Sequence, residues 1–143
     1  MITVEKSIEI NKPAAEVFAF MSDFANDMKW QSGLIRSEKT SDGPMGVGTT
    51  GLYVQKVMGK EMKNEVQVTA YDPPTRFAAK TTSGPVQFEF TATYEETGGK
   101  TRVNMIMNGE ASGFFKVAEG MIKAELEKTF EADFLKLKQL LEA

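Results

Sequence analysis

The chain has 143 residues, a formal net charge of −3 and neither Cys nor His. That length suits one domain with one core, residues 1–143, and an acidic balance with scattered Lys and Arg disfavours nucleic acid or an anionic membrane as partner. Without Cys or His there are no disulfides, no thiolate chemistry and no Ser–His or Cys–His pair, and zinc lacks its commonest ligands.

Residues 2–10, ITVEKSIEI, set Ile2, Val4, Ile8 and Ile10 on one face and Thr3, Glu5, Ser7 and Glu9 on the other. This is a strand with one wet side. The N-terminus lacks a basic region followed by an apolar run, and no stretch approaches the ~18 apolar residues of a membrane span. A cytoplasmic location is the resulting expectation. Asn11 is a candidate cap and Pro13 suits a first turn, so AAEVFAFM reads as a short helix burying Val17, Phe18 and Met21. Ser22 or Asp23 can cap a second short helix reaching about Trp30, and Gly33 ends it.

Period two then returns. LIRSEKT, LYVQKVM, EMKNEVQVTAY, RFAAKTT, VQFEFTATYEE and TRVNMIMNGE read as strands, separated by SDGPMGVG, DPPT, SGP and TGGK turns. Met62, Asn64, Val66, Val68 and Ala70 share one face, as do Val86, Phe88, Phe90, Ala92 and Tyr94. Residues 114–142 space Ile122, Leu126, Phe130, Phe134, Leu137 and Leu141 at helical intervals and are expected to form one continuous helix.

GVGTTG, Gly46 to Gly51, has the G-x-G-x-x-G spacing of dinucleotide-binding loops, with Asp72 downstream. That motif requires a strand before it and a helix after it. Here a strand-like segment follows, so the glycines read as a connection between strands. No cofactor and no metal are expected.

The elements run β-α-α-β6-α. Six or seven strands at about 4.8 Å span about 30 Å, whereas one helix is about 10 Å across. The sheet must curl around the C-terminal helix, which favours an apolar gap between them. The expected fold is α+β, a curved antiparallel sheet wrapped around a long C-terminal helix.

INKPAAEVFAFMSDFANDMKW, GVGT, VTAYDPPTRFAAKTTSG and the hairpin around GGKTRV, in that order, resemble the polyketide cyclase/dehydrase and lipid-transport superfamily. It is also called START-like, Bet v 1-like or SRPBCC. The resemblance covers nearly the whole chain. It implies a helix-grip fold with a hydrophobic cavity, and its members include carriers, aromatase/cyclases, receptors and quinone-binding chaperones.

Candidate ligand-binding residues follow from phase and chemistry. Met is frequent, nine in all. Met58, Met62, Met105 and Met107 on strands, and Met28 and Met121 on helices, suit an irregular apolar ligand or simply fill the core. Phe88 and Phe90 point towards the helix as pocket or core. Trp30 is either a lid or an anchor for its helix. Extending the last helix's stripe backwards from Phe130 and Leu126 brings in Ile122, Glu119 and Phe115. Glu119 is therefore the candidate pocket carboxylate, with Lys123 as partner. The alternative stripe of Phe114, Val117 and Met121 would leave Glu119 a solvated acid. Arg76 and Arg102 read as surface charges or, for Arg102, a reach to a ligand carboxylate. Tyr53, Tyr71 and Tyr94 have mixed phases. Asp23, Asp27, Glu95 and Glu96 read as solvated acids.

Three functions remain in play. One is a carrier or sensor of a small hydrophobic or amphipathic molecule, such as a lipid, quinone or polyketide. Another is a cyclase or dehydratase using a pocket carboxylate, with Glu119 as nominee. A third is a co-chaperone or protein-interaction module.

Overall fold

The computed structural model describes residues 1–57, 59–84, 86–111 and 114–143, without the side chains of residues 57, 86, 111, 114 and 115. Strand β1 (Ile2–Ile10) leads into helix α1 (Ala14–Met21), a 3-10 turn (Phe24–Asn26) and the one-turn helix α2 (Asp27–Trp30). Then come β2 (Leu34–Lys39), β3 (Thr50–Val57), β4 (Lys60–Asp72), β5 (Arg76–Ser83), β6 (Val86–Thr97) and β7 (Lys100–Ala111). Helices α3 (Phe114–Val117) and α4 (Glu119–Glu142) close the chain.

The seven strands form one antiparallel sheet in the order β1-β7-β6-β5-β4-β3-β2. Every hairpin from β2 to β7 joins neighbours, and β1 crosses over to pair with β7 from Ile2↔Gly109 to Ile10↔Thr101. The sheet is curled into a half-barrel with α4 in its grip. Helix α4 runs in the same direction as β1. Ile122 near its start packs with Ile2 and Val4, and Lys138 near its end donates to the Glu9 carbonyl at 2.6 Å.

Local details differ from the sequence expectation. No side-chain cap is made by Asn11; the Ala14 amide at the start of α1 donates instead to the Glu96 carboxylate at 2.8 Å. Glu96 is thus a cap supplied by β6, where anionic charge suits a helix start. Asp23 does cap the 3-10 turn, accepting from the Ala25 amide at 3.0 Å. In β4 the pairing jumps from Val68↔Ala79 to Ala70↔Ala78, leaving Thr69 as an extra residue. Such a bulge shifts the alternation by one, so Tyr71 turns inward opposite Phe77 and Ala70 does not continue the apolar face.

The C-terminal segment is two helices, not one. The helical run stops at Ala118, whose backbone lies at φ −103° and ψ 11°. Ala118 is buried beside Ile2, Met62 and Ile122, whereas Val117 is 89% exposed. The break brings a small side chain down onto the sheet and turns its neighbour out.

The glycine-rich stretch joins β2 to β3, with no helix after it. Its last glycine has a packing reason. A Cβ on Gly51 would lie 2.7 Å from Cζ of Phe24, so the ring sits directly over the β3 backbone.

Candidate functional site

Buried apolar side chains fall into two clusters. One gathers α1, the 3-10 turn and α2 around Phe18, which makes edge-to-face contacts with Tyr71, Phe77 and Tyr94. The other joins Ile2, Val4, Met62, Ala118 and Ile122, flanked by Phe88, Leu126 and Phe130. A cavity of about 100 Å3 lies where they meet. Met62, Val66, Phe88, Phe90, Met105 and Met107 line it from the sheet, and Ile122, Leu126, Phe130 and Phe134 from α4. An apolar cavity of about 150 Å3 is enough to admit benzene, so the space is of the order of one aromatic ring.

A second cavity of about 30 Å3 adjoins it. Trp30, Gln31, Tyr53, Phe90 and Met105 line both and form the shared wall. The small cavity is the more polar, with Ser22, Asp27, Tyr53 and Tyr94 among its lining residues.

Six of the ten residues nominated from sequence line the main cavity: Trp30, Met62, Phe88, Phe90, Met105 and Ile122. Trp30 is not a lid at the surface. It is 3% exposed and tilts against Phe134 at 6.0 Å between ring centres. Met58 and the side chain of Phe115 lie outside the described residues. Met121 is 65% exposed and belongs to neither cavity. Met121 and Ile122 both belong to α4, where Met121 lies about 100° around the axis from Ile122 and so falls off the stripe of Ile122 and Leu126. Met28 is exposed as well.

Glu119 does not line a cavity. Its carboxylate lies 3.2 Å from the Met1 amine, because α4 runs in the same direction as β1 and starts beside the beginning of that strand. Lys123 pairs with Glu127 at 3.9 Å rather than with Glu119. Arg76 and Arg102 are exposed. Arg102 stands opposite Glu9 on β1 and Glu95 on β6, away from the interior.

The carboxyls that do enter the site are Asp27 and Asp133. Asp27 is 3% exposed, so it is not a solvated acid. The Tyr53 hydroxyl donates to its Oδ2 at 2.8 Å, and the Ser37 hydroxyl approaches the same oxygen at 3.3 Å. Burial pushes the Asp27 carboxyl up to about 7, against the lowering effect of these hydroxyls, and Asp23 adds repulsion. Burial together with the Asp27 charge pushes the Tyr53 hydroxyl up, and the Tyr94 hydroxyl likewise.

Asp133 lines the main cavity from α4. Its Oδ1 accepts from the Ser32 amide at 3.0 Å and the Ser32 hydroxyl at 2.7 Å. Burial raises this carboxyl; the Ser32 hydrogen bonds and Lys136 oppose the shift. Two cavity-lining groups keep a buried polar atom without a hydrogen-bond partner among the described residues: Trp30 Nε1 and Asn64 Oδ1. Unpaired buried polar atoms are costly and uncommon. Among the described residues, no group of three or more acids is placed to hold a metal ion.

The same fold occurs in solved structures. TTHA0849 from Thermus thermophilus is similar at TM-score 0.82 and 18% identity, over 96% of this chain and 94% of that one. The Zhui aromatase/cyclase from Streptomyces sp. R1128 is similar at TM-score 0.82 and 17% identity, over 98% and 93%. A START superfamily protein from Mycobacterium smegmatis is similar at TM-score 0.80 and 16% identity, over 98% and 97%. At such identities the likeness is one of fold. No curated protein matches the sequence. The family model described as polyketide cyclase/dehydrase and lipid transport matches residues 1–142, and the chain belongs to that family.

Proposed function

We propose that this protein binds a small hydrophobic or amphipathic molecule between its sheet and α4, as a carrier or sensor. The observation that carries the reading is the apolar-walled cavity of about 100 Å3 at the junction of the two core clusters. Flexible Met62, Met105 and Met107 in its wall suit a ligand of irregular shape. Lipids, quinones and polyketide-like molecules are the classes to test. Native mass spectrometry of protein purified from its own host is expected to show a co-purifying apolar compound. A thermal-shift screen across the three classes should raise Tm with at least one. Failure of every class, together with an experimental structure whose interior is fully packed, would remove the proposal.

A second reading is an enzyme of cyclase or dehydratase type. The buried carboxyls at the cavities, Asp133 and Asp27, support it, because such chemistry can run on positioning plus one acid or base. So does the likeness in fold to an aromatase/cyclase. Turnover of a poly-β-ketone mimic, lost in Asp133→Asn or Asp27→Asn, is the corresponding test.

A further inference from the structure

The small cavity has a chemistry distinct from its neighbour. Its volume of about 30 Å3 is enough for an oxygen-bearing group, since a single water needs about 10–15 Å3 in the same measure. It is far too small for a ring. Oδ2 of Asp27 already accepts from Tyr53, so a proton on that carboxyl sits on Oδ1, which can donate. The Tyr53 hydroxyl hydrogen is committed to Asp27, and its oxygen keeps lone pairs to accept with. The unpartnered Nε1 donor belongs to Trp30 in the shared wall.

Charge narrows the ligand further. Asp27 and Asp133 line the two cavities, and among the described residues no Lys or Arg lines either one. A carboxylate ligand would meet only acids and dipoles, at a desolvation cost with no cation to offset it. A neutral oxygen meets a donor and an acceptor together.

We infer that the small cavity is a polar subsite, formed by Asp27, Tyr53 and Trp30, that receives the neutral phenolic or ketonic oxygen of a ligand whose apolar ring fills the main cavity. This rests on the ligand-binding reading and sharpens it: the ligand is an uncharged oxygenated aromatic, not a fatty-acid anion. Asp27 is suited to both oxygen types, because burial holds its carboxyl near about 7. Both protonation states are then populated at neutral pH. The protonated form donates to a ketone, and the ionised form accepts from a phenol.

Three probes of nearly equal shape separate these contributions: 4-propylphenol, 4-propyltoluene and 4-propylbenzoate, titrated against the whole chain by calorimetry and NMR. The expected order is phenol tightest, toluene roughly tenfold weaker and benzoate weakest. The preference for phenol over toluene should fall at least threefold in Tyr53→Phe and vanish in Asp27→Val, with toluene binding retained. Should Asp27→Val fail to fold, NMR contacts from the oxygen-bearing end of the bound phenol to the Tyr94 ring, which lines the small cavity and not the main one, decide the point in the unaltered protein. Equal binding of phenol and toluene, or tightest binding of benzoate, overturns the subsite while leaving the apolar cavity standing. Absence of binding by all three overturns the subsite, while the ligand-binding reading falls only if the lipid, quinone and polyketide classes fail as well.

Discussion

Between about pH 4 and pH 7, Asp27 holds a proton in the folded protein that it releases when unfolded. Its carboxyl is raised from 3.8 to about 7. Between those values the folded state binds more protons than the unfolded chain, so stability falls as pH rises. The contribution is fully present below about pH 4 and is lost by the time pH passes 7. Each pH unit between the two values is worth about 1.4 kcal/mol, so the loss is a few kcal/mol. Thermal or urea unfolding from pH 4 to 8 is expected to show this decline, with Asp133 adding to it in the same direction. In Asp27→Asn most of the slope should disappear, whereas Asp23→Asn, which removes only a repulsion, should blunt it slightly. A second residue fixes the cavity wall without touching a ligand. A Cβ on Gly109 would lie 2.3 Å from Cδ1 of Phe88, so Gly109→Ala must push that ring off its seat. The expected cost is about 1–3 kcal/mol, with altered ligand affinity, measured by denaturation and titration. The phase of β6 made Phe88 legible as an inward residue. The phase of α4 made Asp133 equally legible, three residues past Phe130 and four before Leu137, by the rule that singled out Glu119. Asp27 was not legible. Its burial depends on Tyr53 and Ser37, which arrive from β3 and β2, and a one-turn helix carries no periodicity from which to read a face.

Helix α2 is too short to hold itself together, since isolated helices of a turn or two do not form in water. Its position is set from outside. Asp27 ties its start to the sheet through Tyr53, and just beyond its end Ser32 donates twice to Asp133 on α4. Ser32→Ala removes one of those donations to a buried carboxylate and should cost about 1–3 kcal/mol. Hydrogen exchange over residues 27–34 should quicken while that of β6 and β7 stays unchanged; uniform quickening would mean global destabilisation instead. The succession of strands and helices followed from alternation and turn residues, because the inward face of a strand is set by local phase. The departures sit where a tertiary contact outweighs local phase. Thr69 bulges out of β4 so that Tyr71 can meet Phe18 at 5.4 Å. Ala118 interrupts the C-terminal helix so that it can join Ile2 and Ile122. The bulge and the break each serve a contact with a residue distant in sequence, Phe18 in one case and Ile2 in the other, so neither leaves a local trace.

At the scale of the molecule, width decides where space is left. Seven strands at about 4.8 Å each cannot be covered by one helix about 10 Å wide, and the core divides into two clusters with space between. That space is thus a consequence of the fold, and its size is set by whichever α4 side chains reach across. Leu126 is one of these; it packs on the second cluster and lines the main cavity. Leu126→Ala should enlarge the cavity at a stability cost of about 1–3 kcal/mol, less than for a fully buried leucine because the side chain is only partly buried. Leu126→Phe should shrink it. Across a series of 4-alkylphenols from methyl to hexyl, the length giving the largest rise in Tm is then expected to increase in Leu126→Ala and decrease in Leu126→Phe relative to the unaltered chain. A length optimum that ignores both substitutions would mean the ligand lies elsewhere than between the sheet and α4.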